Sequence, residues 1–243
     1  MSKNILITGA SRGIGAAIAY RFAADGYNIS ICCRNSTSEL NSLADDLKKL
    51  FHVNVLSFVG DVGDDSFVSN MIYETIRQFG HIDVLVNNAG ISYIGLLSDM
   101  NLDDWNTIIN TNLTSVFLTC KYATPHMVAR QSGKIINISS VWGNVGASCE
   151  VAYSASKGGI NAFTKALGKE LAPSNISVNA ISCGVIDTAM NSCFDEEERQ
   201  CLADEIPAGR FGKADEVASL SFSLANESSY LTSQVITLDG GWQ

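Results

Sequence analysis

Residues 5–15 read ILITGASRGIG, and residues 16–24 after them have the composition of a helix. The apolar run at residues 5–7 predicts a short buried strand. Glycines between a strand and a helix let the backbone turn tightly and approach a pyrophosphate, which then lies at the helix N-terminus. The spacing is G-x-x-x-G-x-G rather than the commoner G-x-G-x-x-G, so the turn alone is a weak signal. Its place directly after the first strand favours a dinucleotide-binding turn.

The rest of the chain alternates between strand-like and helical stretches. Strand-like runs lie at residues 28–33, 53–59, 83–86, 134–139, 177–182 and 235–238. Helical stretches lie near residues 38–50, 64–79, 103–130, 153–171 and 213–225. This alternation predicts an α/β fold, a Rossmann-type doubly wound parallel β-sheet of about seven strands with helices on both faces. We find no linker or repeat, and a single domain over residues 1–243 is the simplest prediction.

The composition argues against several classes of function. The chain has 243 residues and a net charge of −9, whereas nucleic-acid binding needs a basic surface. No apolar run is long enough to span a bilayer, and the first strand begins too early to leave room for a signal peptide. The seven cysteines are scattered and the three histidines lie far apart, so we expect neither a disulfide framework nor a metal site. These features favour a cytoplasmic protein with free thiols.

A tyrosine and a lysine four residues apart form a second chemical signal. Tyr153 and Lys157, in YSASKGG, fall on one face of a predicted helix, and Ser140 lies upstream in INISSVWG. A phenol normally keeps its proton up to a pKa of about 10. A nearby ammonium lowers that pKa, which would let Tyr153 exchange a proton with a carbonyl oxygen or an alcohol. The alternative for the bare pattern is a solvated helix face.

Several motifs together resemble the short-chain dehydrogenase/reductase family over the whole length of the chain. They are TGASRGIG at residues 8–15, Asp61-Val62, Asn87-Asn88-Ala89-Gly90, Asn112 in NTNL, Ser140, Tyr153 and Lys157. The resemblance implies an enzyme that binds a nicotinamide dinucleotide and moves a hydride to or from a carbonyl carbon. It also implies a homotetramer in which the helices at residues 103–130 and 153–171 pair between subunits.

The resemblance assigns catalytic roles to four residues. Tyr153 donates the proton in reduction, and Ser140 hydrogen-bonds the substrate oxygen. Lys157 binds the nicotinamide ribose hydroxyls and lowers the tyrosine pKa, and Asn112 holds a water that links the lysine to solvent. Ser139 is adjacent to Ser140, but neighbours in a strand should face opposite ways.

The resemblance also predicts the cofactor-binding residues. They are Gly9, Ser11, Arg12, Gly13, Ile14, Gly15, Arg34, Asp61, Val62, Asn88, Ala89, Gly90, Tyr153, Lys157, Ile186 and Thr188. Asn87 is expected to be structural. Where the family usually has Pro-Gly after the sixth strand, this chain has Cys183-Gly184. We expect Cys183 to be a buried, inert thiol, with a contact to cofactor or substrate as the alternative.

The end of the second strand indicates which dinucleotide binds. NAD-using members place an acid there for the ribose hydroxyls, and residues 31–35, ICCRN, contain none. Arg34 and Arg12 could instead form a cationic clamp for a 2′-phosphate. The alternative is that either arginine is a surface charge. We therefore predict NADP(H) as the cofactor.

The substrate is less well defined. Residues 190–210 and 234–242 resemble 3-oxoacyl-acyl-carrier-protein reductases, which makes a 3-oxoacyl thioester and an acyl-carrier protein candidate partners. That branch usually carries arginines at two surface positions near the cleft, and Gln131 and Ser174 occupy those positions here. The acidic segment at residues 194–205 is expected to be either a mobile flap over the substrate or a solvated surface helix.

Two other functions stay open. One is reduction or oxidation of a free ketone or alcohol such as a hydroxysteroid, a sugar or a small keto compound. Its pocket, facing Tyr153, is expected to include Trp142, Asn144, Val145, Cys149 and Glu150. The other is a nucleotide-sensing module, which would not need an acid/base group.

Overall fold

A seven-stranded sheet forms the centre of the molecule, and all of its strands are parallel. The computed structural model describes residues 2–191 and 195–243. The strands are β1 Asn4–Ile7, β2 Asn28–Cys33, β3 Val55–Val59, β4 Val84–Asn87, β5 Gly133–Ser140, β6 Ile176–Cys183 and β7 Val235–Leu238. Their order in space is β3-β2-β1-β4-β5-β6-β7. This order confirms the predicted doubly wound Rossmann-type sheet.

Helices cover both faces of the sheet. They are α1 Gly13–Ala23, α2 Thr37–Phe51, α3 Asp65–Phe79, α4 Leu102–Ile109, α5 Ser115–Arg130, α6 Trp142–Val145, α7 Val151–Leu171, α8 Glu196–Glu205 and α9 Ala214–Asn226. One core lies under α1, α2 and α9, and a second lies under α3, α5 and α7. In β1, Ile5 and Ile7 belong to the first core and Leu6 to the second. Because both faces are buried, the strands read as continuous apolar runs.

The predicted helix over residues 103–130 is two helices, α4 and α5, joined by a π-helical segment, Asn110–Thr114. Within that segment the Asn112 side chain is fully buried and bonds both backbone groups of Ile91. The stretch over residues 102–130 is thus helical throughout, as predicted, but the π-turn was not predicted, and these bonds to a loop distant in sequence hold Asn112 inward there. Such π-turns are frequent at functional sites.

Ligands of doubly wound sheets bind beyond the carboxyl ends of the strands, at the point where the strand order reverses. Here that point lies between β1 and β4. Six cysteines in the described part of the chain are free thiols, and Cys193 lies outside it. No helix within residues 2–191 and 195–243 has both the length and the apolarity needed to cross a membrane.

Candidate active site

Two glycines let the turn after β1 pack closely against its surroundings. Gly9 has a φ of 65°, and a Cβ at this position would lie 2.7 Å from the Cα of Ala89. A Cβ on Gly15 would lie 2.5 Å from the carbonyl oxygen of Gly9. Arg12 precedes α1 without capping it through its side chain. The N-terminus of α1 is therefore suited to an anionic phosphate.

Hydrogen bonds join the carboxyl ends of β1 and β4 at the switch point. The hydroxyl of Thr8 accepts from the backbone N–H groups of Asn88 and Ala89, both at 3.0 Å. The Asn88 amide nitrogen donates to the carbonyl oxygens of Thr8 and Gly9, both at 2.9 Å. The glycine turn and the Asn88–Gly90 motif are thus one rigid unit.

Two neighbours of predicted site residues have structural roles, as the sequence predicts. Asn87 is buried, donates to the Asn137 side chain at 2.9 Å and accepts from the Thr119 hydroxyl at 2.6 Å. Ser139 donates to the Asn161 side chain at 2.6 Å. Neither the Asn87 amide nor the Ser139 hydroxyl is therefore free for a substrate.

A cavity of 1260 Å³ runs along the carboxyl ends of the strands. The predicted site residues that line it are Gly9, Ser11, Arg12, Gly13, Ile14, Arg34, Asp61, Val62, Asn88, Ala89, Gly90, Ser140, Tyr153, Lys157, Ile186 and Thr188. Gly15 and Asn112 do not line it, because Gly15 packs behind the turn and Asn112 is buried. The volume exceeds the roughly 300–1,000 Å³ of sites for drug-sized ligands, so a dinucleotide and a second molecule have room together.

Tyr153, Ser140 and Lys157 meet at one end of this cavity. Lys157 Nζ donates to the carbonyl oxygen of Ile138 at 2.9 Å and lies 5.5 Å from the centroid of the Tyr153 ring. Burial raises the pKa of Tyr153, and a hydrogen bond with Ser140 offsets part of that rise. Burial lowers the pKa of Lys157 to about 8.

The prediction that the pKa of Tyr153 falls below its usual value is therefore wrong. The sequence suggests an ammonium that lowers the tyrosine pKa, but burial outweighs every other influence and raises it. Burial also lowers the pKa of Lys157, because it disfavours the charged ammonium. A phenol with a raised pKa is protonated at neutral pH, which is the form that can donate to a carbonyl oxygen.

The Asn112 side chain has both amide hydrogens occupied. They go to the carbonyl oxygen of Ile91 at 2.9 Å and to the hydroxyl of Ser156 at 3.0 Å. Its oxygen accepts from the Ile91 N–H at 2.8 Å. Asn112 thus fixes the loop after β4 to α7, and its role in holding a water stays a prediction.

The two arginines predicted to bind a 2′-phosphate both line the cavity. Arg34 Nε lies 3.2 Å from Asp61 Oδ2, and the Arg34 side chain is 57 % exposed. Ion pairs this exposed contribute about 1 kcal/mol or less. A phosphate could therefore compete with Asp61 for Arg34.

The predicted substrate pocket is partly wrong. Trp142 and Glu150 line the cavity, whereas Asn144, Val145 and Cys149 do not. Asn144 is hydrogen-bonded to two neighbouring side chains, Val145 is 58 % exposed, and Cys149 takes the left-handed conformation with a φ of 64°. The short helix α6 and the turn after it direct these three residues away from the cavity.

Several cavity residues were not predicted from the sequence. They are Ser92 and Ile94 in the loop after β4 and Trp242 near the C-terminus. Trp242 packs edge-on against Trp142, with ring centroids 4.9 Å apart. A signal for Trp242 exists, because a residue that follows the last parallel strand must emerge at the edge where the cavity lies.

The acidic segment forms α8 at Glu196–Glu205, and residue 194 lies outside the described residues. Arg199 on this helix pairs with Asp187 at 2.9 Å and lies over the Phe211 ring at 4.7 Å. The segment was expected to be either a flap over the substrate or a solvated surface helix. Because α8 lines the cavity and is also largely exposed, each interpretation holds in part. Movement of the helix stays a prediction.

Cys183 lines the cavity and is buried. Burial raises its pKa to about 12, so the thiol is protonated at neutral pH. This agrees with the expectation of a buried, inert thiol.

Gln131 and Ser174 lie away from the cleft, contrary to the expectation. Gln131 lies just before β5, and Ser174 lies just before β6. The side chain of Asn175, the neighbour of Ser174, donates to the Gln131 carbonyl oxygen at 3.1 Å. The cavity lies at the opposite ends of these strands. An eight-residue strand spans roughly 26 Å. Within one subunit, neither residue can therefore guide a carrier into the cavity.

The scaffold and the groups at its switch point define the class of protein as a Rossmann-type oxidoreductase. The family model for short chain dehydrogenase matches residues 3–199. The chain therefore belongs to that family, whose members use a nicotinamide cofactor.

Full-length relatives agree with this assignment. The chain is 38 % identical to the uncharacterized oxidoreductase YmfI of Bacillus subtilis over 243 residues, covering 100 % of this chain and 99 % of the relative. It is 42 % identical to the 3-oxoacyl-[acyl-carrier-protein] reductase FabG of Thermotoga maritima over 240 residues, covering 98 % and 97 %. It is 38 % identical to FabG of Staphylococcus aureus over 242 residues, covering 99 % and 98 %.

Proposed function

We propose that the protein is an NADP(H)-dependent reductase that converts a ketone to a secondary alcohol, with a 3-oxoacyl thioester as the substrate. The observation that carries this proposal is the Tyr153 phenol beside Ser140 and Lys157, in the same cavity as the glycine turn. The alternative of a nucleotide sensor leaves that acid/base group without a purpose.

The residues fit a nicotinamide dinucleotide. The turn at residues 9–15 approaches its neighbours so closely that a side chain at Gly9 would collide with Ala89, and the N-terminus of α1 suits the pyrophosphate. Ile186, Thr188 and Lys157 would hold the nicotinamide end. When bound, the nicotinamide supplies the hydride that adds to the carbonyl carbon.

The chain supplies the proton and the orientation. Tyr153 gives its proton to the carbonyl oxygen, and Ser140 donates a hydrogen bond to the same oxygen. Lys157 holds the ribose hydroxyls, and the Asn112 contacts keep the loop after β4 in place beside it.

The thioester is supported by the relatives named 3-oxoacyl-[acyl-carrier-protein] reductase and by apolar side chains at the cavity, Ile94 and Met190, which are 62 % and 51 % exposed. The carrier itself is less well supported. Glu198 and Glu205 on α8 line the cavity, and an acidic carrier would be repelled by them. We therefore propose a short thioester, with little gain from the carrier.

A free ketone is the second candidate, and the Glu150 carboxylate in the cavity favours it because it could accept a hydrogen bond from a substrate hydroxyl. The deciding experiment measures NADPH and NADH oxidation with an acetoacetyl thioester of a small thiol, the same acyl group on a carrier protein, and steroid and sugar ketones. The proposal expects NADPH with the small thioester to give the highest kcat/KM. Equal use of both nucleotides, or preference for another ketone, would contradict it.

A further inference from the structure

Two loops face each other across the cavity beside Tyr153. One follows β4 and contributes Ser92 and Ile94, and the other precedes α7 and contributes Ser148 and Glu150. Both loops therefore border the part of the cavity that contains Tyr153.

Two hydrogen bonds join these loops. The Ser92 hydroxyl donates to the carboxylate of Glu150, and the Gly95 N–H donates to the carbonyl oxygen of Cys149 at 2.9 Å. Cys149 has a φ of 64°, a conformation that costs a non-glycine residue about 1–3 kcal/mol. The surrounding bonds maintain this strained backbone, which turns the next residue, Glu150, toward the cavity.

The Glu150 carboxylate has no basic partner among the described residues within salt-bridge distance. Its charge reaches the reacting group, since it contributes to the raised pKa of Tyr153. Lys157 lines the same cavity, and burial lowers its pKa to about 8. A substrate bound here therefore meets a fixed negative charge that no arginine neutralises.

We infer that Glu150 is a specificity-determining residue that rejects ketones carrying a carboxylate close to the carbonyl group and admits neutral ones, and that Ser92 holds its carboxylate in place. This inference rests on the proposed function. It means that a 3-oxoacyl group enters as a neutral thioester, whereas the corresponding free 3-oxo acid is excluded by charge repulsion.

The test compares acetoacetate with its neutral methyl ester in the unmodified protein and in Glu150→Gln. Glutamine keeps an oxygen that can accept from Ser92 but removes the charge. We expect kcat/KM for acetoacetate, relative to the ester, to rise about tenfold. Ser92→Ala keeps the charge of the Glu150 carboxylate but removes the hydrogen bond that holds it in place. This variant should raise kcat/KM for acetoacetate, relative to the ester, by about threefold. Glu170→Gln, the same change at an exposed position near the end of α7, should leave the ratio as in the unmodified protein.

A binding measurement keeps the inference separate from the proposed function. Quenching of Trp142 and Trp242 fluorescence, with oxidised NADP present so that nothing turns over, reports the affinity of each ligand. The same rise in relative acetoacetate affinity is expected in Glu150→Gln. Absence of ketone reduction by the unmodified protein would contradict the proposed function alone. An unchanged acetoacetate-to-ester ratio in Glu150→Gln would overturn the inference.

Discussion

At the scale of single residues, position 9 requires glycine for two separate reasons, its positive φ and its closeness to Ala89. Gly26 offers a control, because its φ is 80° but a Cβ there would meet nothing within 4 Å. We expect Gly26→Ala to cost about 1 kcal/mol through backbone strain alone. Gly9→Ala should cost more and should also abolish nucleotide binding, as measured by thermal unfolding and by nicotinamide fluorescence. Equal losses in the two variants would show that the close contact is unimportant.

Arg34 is expected to decide between the two dinucleotides. Arg34→Asp replaces a phosphate partner with a repulsive charge, so the ratio of kcat/KM for NADPH over NADH should fall below one. Lys49→Asp, an exposed change of the same charge on α2, should leave the ratio unaltered. A preference for NADPH that survives Arg34→Asp would assign the 2′-phosphate to another group.

The spacing predicted Tyr153 and Lys157 as a pair, the family resemblance added Ser140, and the structure brings all three together. Spacing and resemblance were not enough to predict the pKa of Tyr153. Spacing shows that a lysine is near, but the burial that outweighs it depends on how the whole chain packs.

At the scale of elements, the buried polar network between β4, β5 and α5 is expected to stabilise the sheet. In Asn87→Ala, the side-chain oxygen of Asn137 would lose a donor and the Thr119 hydroxyl would lose an acceptor. Leaving buried polar groups unpaired costs about 1–3 kcal/mol each. Denaturant unfolding should therefore show a loss of that order, whereas Asn54→Ala, at an exposed site, should cost less than about 0.5 kcal/mol. A negligible loss in Asn87→Ala would contradict the structural role.

Most elements follow from the alternation of apolar runs, because the strands inside the sheet are buried on both faces. The π-helical turn inside the predicted helix over residues 103–130 does not follow from that pattern, because Asn112 has no local feature that marks a wide turn. Its partner, Ile91, is distant in sequence.

At the scale of the whole molecule, the direction of the sheet explains what the sequence missed. Trp242 reaches the cavity because β7 is parallel to the other strands, and Gln131 does not because it precedes β5. Both conclusions need the position of a residue relative to its strand, which a comparison of motifs does not supply. The single domain and the cytoplasmic location stay predictions.

The proposed assembly is a homotetramer. Leu102 on α4 and Phe117 on α5 are 72 % and 49 % exposed, and Tyr230, before β7, is 96 % exposed. Exposed apolar groups on α4 and α5 suit the predicted pairing of helices between subunits, and Tyr230 suits a second contact beside the C-terminal strand, which the family resemblance also implies. Light scattering at micromolar concentration should give four times the mass of one chain, 26.0 kDa. A monomeric mass would refute this assembly.

The most direct test of the account is turnover by Tyr153→Phe with NADPH and a short 3-oxoacyl thioester. Phenylalanine keeps the ring but removes the proton that the phenol donates. The account predicts that the Kd for NADPH stays within about twofold while kcat falls by roughly 10²–10⁴-fold, the usual contribution of a general acid. Turnover close to that of the unmodified protein would contradict the assignment of Tyr153 as the acid.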